Sequence, residues 1–260
     1  MAGFRGIFAA IGATGAAAAA VVTGYSLKHS EADEIAGLTF NDLESEICLR
    51  NDVAFFDGAK KGCVTKSDLK AWFSAPVLDD NGAPVTVKLS HPTDINRDLS
   101  VVKTCAEYVS LKKQNWYSGT TRAMRREAFF ERACGMLTYL AGAEAPVISH
   151  FENGLASRSD VASLSAGPPF KFVGNVEADA LEPLSQHQIN IQALSDGVWR
   201  VSAGGQSARV QEIAHADFNG DGVGDILSFI SIGVDEATAT VGVVGLMEKP
   251  SMADPVRFQK

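Results

Sequence analysis

The chain has 260 residues, 46% hydrophobic and 21% charged, a balance typical of a protein that buries a core. Its 31 acidic and 23 basic residues leave a net charge of −8. This argues against nucleic acid and anionic membranes as partners, since both bind basic surfaces. Residues 151–260 hold 14 of the acidic but only 7 of the basic residues, whereas all 4 cysteines precede them. The two parts therefore differ in chemistry.

The N-terminal segment has the composition of an export signal. Arg5 is the only charged residue before Lys28, and the residues between them are almost all apolar or small. This pattern predicts a cleaved secretory signal over residues 1–24. The apolar run of residues 6–24 is also long enough for an uncleaved membrane anchor, and a buried or disordered N-terminus is the third alternative. Export predicts a periplasmic or secreted protein.

The cysteines point to the same compartment. An even number of cysteines in an exported chain favours disulfides, and four cysteines allow three pairings. We favour Cys48–Cys63 and Cys105–Cys134, because this pairing closes the shortest loops. The chain has no Cys-x-x-Cys motif, so a zinc site is poorly supported.

Residues 38–145 are predicted to form a helical region. Thr39 and Thr65 each precede an aspartate by three residues, a spacing typical of helix N-termini. The predicted helices run from Thr39 toward Phe55, from Asp68 to Phe73, from Asp98 through Leu111, and from Thr120 to Leu140. A turn at residues 79–82 predicts a small hairpin between the second and third of these helices.

The composition changes after this region. Residues 146–169 are rich in serine and proline and are predicted to form a linker. From residue 170 to 260 the pattern is typical of strands: apolar residues alternate over 188–194, and Asp196-Gly197 is a hairpin turn signal, which together predict an antiparallel sheet of about five strands. The predicted strands are 188–194, 198–201, 208–216, 226–232 and 238–247. The expected fold class is α+β: a disulfide-stabilised helical N-terminal region followed by an antiparallel β region.

One motif lies between two of these predicted strands. Residues 217–225 read Asp-Phe-Asn-Gly-Asp-Gly-Val-Gly-Asp, with oxygen-bearing side chains at positions 1, 3, 5 and 9 and glycine at position 6. Calcium (Ca2+) takes about six to eight oxygen ligands, and such spacing turns alternate side chains toward one ion. The predicted calcium ligands are Asp217, Asn219, Asp221, the Val223 carbonyl and Asp225.

The surroundings of this motif distinguish two kinds of calcium loop. An EF-hand needs a glutamate at position 12, which is Ser228 here, and helices on both sides, where this chain has strand-like flanks. Residues 215–227 instead resemble the calcium loops of FG-GAP/VCBS repeats. The resemblance implies a loop that joins two antiparallel strands and binds calcium through the same five residues. The loop occurs once in this chain, so a repeat-built propeller is not supported.

Motifs for catalysis are missing from the sequence, which has no GxSxG, HExxH, P-loop or dinucleotide fingerprint. We therefore expect a non-enzymatic binding or structural protein of the bacterial cell envelope, with calcium in a structural role and a protein partner. One alternative is a hydrolase with its site between the two regions, around Trp116, Tyr117 and His150. The acidic C-terminal part also allows an inhibitor or immunity-type partner of a secreted enzyme.

Overall fold

The computed structural model describes residues 34–35, 38–39, 46–93, 99–164, 189–203, 206–234 and 240–260. The signal or anchor predicted over residues 1–24 lies outside these ranges. Residues 32–260 form a compact unit of their own. No helix in the described ranges combines the length and apolar character needed to cross a bilayer.

The first half of the described chain mixes short strands with helices. Its strands are β1 (Glu34–Ile35), β2 (Leu38–Thr39), β3 (Ile47–Leu49), β4 (Gly62–Val64), β5 (Val87–Leu89), β6 (Ser100–Val102) and β7 (Ile148–Ser149). Its helices are α1 (Lys66–Ser74), α2 (Cys105–Lys113), α3 (Thr121–Gly142) and α4 (Arg158–Leu164). The second half consists of β8 (Asn190–Ser195), β9 (Val198–Ala203), β10 (Gln206–Ala216), β11 (Val223–Val234), β12 (Thr240–Glu248) and β13 (Arg257–Gln259).

The predicted α+β fold class, with a helical N-terminal region, is wrong. Where a helix was expected toward Phe55, Ile47–Leu49 forms β3, which pairs antiparallel with β4. Ile47 and Leu49 are buried and Cys48 is exposed, the period-2 alternation of a strand. The helix expected from Asp98 begins only at Cys105, because Thr104 and Glu107 form a capping box there and residues 100–102 pair with β5. Strand residues therefore outnumber helical residues in the described chain.

Two of the predicted helices are confirmed. Helix α1 begins after Thr65, whose Oγ1 accepts from the Asp68 N–H at 3.2 Å, while the Asp68 carboxylate accepts from the Thr65 N–H at 2.8 Å. Helix α3 begins after Thr120, whose side chain accepts from the Ala123 N–H. Both starts follow from local hydrogen bonds that satisfy free N–H groups, which explains why they could be predicted.

Both predicted disulfides are confirmed. Cys48 and Cys63 lie directly opposite each other on β3 and β4, and Cys105–Cys134 joins α2 to α3. Disulfides persist in oxidising compartments and are rare in the cytosol. The pair of bonds therefore indicates an extracytoplasmic location.

The C-terminal strands build the main sheet. In the described chain seven strands contribute to it, in the order β13-β12-β11-β10-β9-β8, with β7 added parallel to β11. The five predicted strands are confirmed as β8 to β12, and each pairs antiparallel with the next. The predicted linker contains β7 and α4, and its residues 165–169 lie outside the described ranges.

Both faces of this sheet are covered. Leu227 of β11 points into a core shared with α1, α3 and the β3–β4 hairpin. Ile226 and Ile230 of the same strand point into a second core that includes Val161 of α4. Successive side chains of a strand point to opposite faces, so one strand serves both cores. The helices and the sheet consequently share a core, whereas the sequence predicted two separate regions.

A buried glutamate joins the two halves of the chain. Glu212 of β10 is 0% exposed, its carbonyl accepts from Asn51 Nδ2 at 2.8 Å, and its Oε1 accepts from the Ala156 N–H at 3.2 Å. Burial raises the pKa of the carboxyl, and the hydrogen bond from Ala156 and the charge of Arg50 offset this only in part. The folded protein therefore binds this proton more tightly than the unfolded chain does.

A pH dependence follows from this raised pKa. Stability should fall as the pH rises from the ordinary carboxyl pKa of 4.5 through the raised value, because the buried group must then ionise. Glu212→Gln should remove the contribution of this group, make the fall shallower and stabilise the protein at neutral pH. Urea unfolding between pH 4 and pH 8 measures both effects. A wild-type slope unchanged in the variant would contradict the assignment.

Candidate calcium site

The motif forms a tight loop between the antiparallel strands β10 and β11. Asp217 holds the turn with both carboxylate oxygens: Oδ1 accepts from the Gly220 N–H at 2.8 Å and Oδ2 from the Gly222 N–H at 2.7 Å. Gly220 and Gly222 have φ of 79° and 83°, a left-handed conformation that a side chain would strain. This explains the glycines at positions 4 and 6 of the motif.

Two more of the predicted ligands accept hydrogen bonds from backbone N–H groups within the same loop. Asn219 Oδ1 accepts from the Asp221 N–H at 3.0 Å, and Asp221 Oδ1 accepts from the Val223 N–H at 2.8 Å. Val223, whose carbonyl is the predicted backbone ligand, is the first residue of β11. The loop is thus folded by its own oxygen-bearing side chains, which short Asp and Asn residues allow.

The loop is also anchored to the segment that follows α3. The backbones of Asp217 and Glu144 exchange two hydrogen bonds, of 2.8 and 3.0 Å. The Gly222 carbonyl accepts from the N–H groups of Val147 and Ile148, at 2.9 and 3.2 Å. The position of the loop is therefore fixed by the helical part of the chain as well as by the sheet.

Asp225 is the most unusual residue of the motif. It is only 1% exposed, and its Oδ2 has no hydrogen-bond partner among the described residues. Burial raises the pKa of Asp225 to about 7, helped by the negative charges of Glu248, Asp221 and Asp217 and opposed by a hydrogen bond from the Phe218 N–H. A buried carboxylate oxygen without a partner is costly, so a positive charge at this point would stabilise the site.

Sequence reasoning missed one acidic neighbour. Glu248 is the last residue of β12, and its Oε1 accepts from Asn219 Nδ2 at 3.3 Å. Its charge acts on the pKa of Asp225 more strongly than the charges of Asp221 and Asp217 do. Nothing local marks Glu248 in the sequence, because only the register between β11 and β12 brings it to the loop.

The donor set fits a hard cation. An ionised carboxylate offers about four acceptor positions, so Asp217 can bind an ion while it accepts its two N–H groups. All predicted ligands are oxygens, as calcium prefers. In their present positions, no three His, Cys, Asp or Glu side chains of the described ranges converge as a metal-binding group.

The residues of the alternative hydrolase site, Trp116, Tyr117 and His150, do not form one cluster among the described residues. The Trp116 ring packs against His91 with centroids 5.2 Å apart, and Tyr117 forms a β-bridge with Ser90, whereas His150 follows β7 beside the main sheet. Within the described ranges no hydrogen bond or ring contact joins His150 to the other two. Trp116 is 8% exposed and belongs to the core shared by helices and sheet.

A cleft lies beside the loop between β10 and β11. It has a volume of about 520 Å³, and its walls include Arg50, Glu144 and His215. His215 Nε2 lies 2.9 Å from the Ser149 hydroxyl, and burial together with the charge of Arg50 lowers its pKa. Side chains added at Gly154 or Gly224 would collide with the imidazole, so these glycines make room for it. The hydrogen bond to Ser149 and the close packing of Gly154 and Gly224 around the ring fix His215 as a packed residue of the fold.

Comparison with family models, curated proteins and solved structures finds no match to this chain. The resemblance to FG-GAP/VCBS loops therefore depends on the motif and its flanks alone.

Proposed function

We propose that this protein binds calcium through Asp217, Asn219, Asp221, the Val223 carbonyl and Asp225, and that the ion has a structural role. The observation that carries the proposal is the buried, unpartnered Oδ2 of Asp225 in a loop with two further aspartates. A bound divalent cation would supply the missing partner and offset the repulsion between these carboxylates.

A structural role is supported by what the loop holds together. It joins β10 to β11, and its backbone binds the segment after α3. An ion in the loop would therefore stabilise the contact between the sheet and the helices. We further propose that the protein works in the periplasm or outside the cell as a binding or structural module for an envelope partner.

The proposal is tested by unfolding the metal-free protein with and without calcium. At a free calcium concentration 100 times the dissociation constant, binding should add about 2.7 kcal/mol to the free energy of unfolding. Isothermal titration should show one binding event, and magnesium should bind more weakly because it prefers a rigid octahedral site. Identical unfolding curves in EDTA and in millimolar calcium, with no heat of binding, would refute the proposal.

A further inference from the structure

We propose that Glu248 of β12 is an additional protein ligand of the calcium ion, so that the ion joins β12 to the loop between β10 and β11. This inference rests on the proposed calcium site and extends it beyond the motif. It makes the site a product of three strands, since Asp217 follows β10, Asp225 belongs to β11 and Glu248 ends β12.

The strand register carries the argument. Ile226 on β11 and Met247 on β12 form the last pair of this ladder, and the same register continued by one residue brings Asp225 opposite Glu248. Residues opposite each other on antiparallel strands project from the same face of the sheet, with Cβ atoms about 4.5–5.5 Å apart. Both carboxylates thus project on one side of the sheet, at the end where the loop folds over it.

Two ionised carboxylates in this arrangement repel each other, and a cation between them would remove the repulsion. The contacts of Asp225 and Glu248 are consistent with a cation between the two carboxylates. Asp225 is 1% exposed with Oδ2 unpartnered, and Glu248 is in hydrogen-bond contact with Asn219, itself a predicted ligand. An ion bound by Asp225 and Asn219 would therefore lie within reach of the Glu248 carboxylate.

Gln259 of β13 is placed to orient this carboxylate. With its amide nitrogen toward Glu248, it donates to Oε1 at 2.7 Å and to Oε2 at 3.1 Å. It lies on the strand next to β12, where Leu246 pairs with Gln259. We therefore assign Gln259 as a positioning residue, which acts on the ion through Glu248.

The experiment compares calcium affinities of the whole protein by isothermal titration. Glu248→Gln should weaken calcium binding by about 10- to 100-fold. Glu248→Asp keeps the charge but withdraws the carboxylate by one methylene, so a ligand role predicts about tenfold weakening here too. The control is Glu131→Gln, which makes the same charge change at an exposed position of α3 and should bind as the wild type does.

A second measurement separates a ligand from a distant charge. Terbium can replace calcium, and its luminescence lifetimes in H2O and D2O count the water molecules bound to the ion. Glu248→Ala removes every side-chain oxygen that could bind the ion and should add about one bound water, whereas loss of a distant charge adds none. Gln259→Leu should weaken calcium binding less than Glu248→Gln and leave the water count unchanged.

The outcomes distinguish the two proposals. If the wild type binds no calcium, the proposed function fails, and this inference fails with it. If the wild type binds calcium and all Glu248 variants bind it with wild-type affinity and water count, the loop alone holds the ion and only this inference is overturned. Wild-type affinity in Glu248→Asp with weakening in Glu248→Gln would likewise show a charge effect and overturn the ligand role.

Discussion

Replacing Asp225 with asparagine is expected to stabilise the metal-free protein and to remove its response to calcium. Asparagine has nearly the same shape as aspartate but no charge, so it relieves repulsion from Glu248, Asp221 and Asp217. Burying a charged group costs more than burying a neutral polar one, so the metal-free variant should gain about 1–3 kcal/mol at neutral pH. Calcium affinity should fall at least about 100-fold, since even outer partners of a metal site contribute about 10- to 100-fold.

Urea unfolding in EDTA and in calcium measures both effects on the same variant. Asp57→Asn is the matched control, because Asp57 is exposed and makes no hydrogen bond within the described ranges. It should leave both curves as in the wild type. A variant at position 225 that is less stable without metal, or one that keeps the calcium response, would contradict a cation site at this carboxylate. General damage to the fold would lower stability both with and without calcium. Loss of a metal site should instead raise the stability of the metal-free protein and remove the stabilisation by calcium.

Leu227→Ala is expected to destabilise the helices as well as the sheet, by about 2–5 kcal/mol in total. Leu227 is 0% exposed and belongs to the core that also contains Leu69 of α1 and Leu137 of α3. Removing its side chain leaves a cavity between the sheet and the helices, so both should lose stability together. Two regions with separate cores would confine the loss to the strands.

Hydrogen exchange followed by mass spectrometry resolves where the loss occurs. Peptides from α3, residues 121–142, should lose protection together with peptides from β11 and β12. Met252→Ala serves as the control, since Met252 is 69% exposed and its truncation should change stability by no more than about 0.5 kcal/mol. Unchanged protection of α3 in Leu227→Ala would refute the shared core.

The features that were predicted correctly depend on interactions between residues close to each other in the sequence. Thr65 and Asp68 are three residues apart and cap α1 with hydrogen bonds between themselves, so the sequence was sufficient. The five strands after residue 188 were also predicted from local signals, namely the alternation over 188–194, the turn signal at Asp196-Gly197 and short apolar runs bounded by turns. The first predicted helix is wrong because the threonine–aspartate spacing at Thr39 indicates only a helix start, whereas Ile47–Leu49 is held as a strand by its pairing with β4.

The sequence by itself determined the local features of this protein. These are the capped helices, the strands, the turn that Asp217 forms with Gly220 and Gly222, and the pairing of the cysteines that closes the shortest loops. Each depends on residues that are close along the chain. Only the tertiary structure decided that helices and sheet share a core and that Glu248 faces Asp225. These two features depend on strand register and packing, which bring together residues far apart in sequence and are set by the chain as a whole.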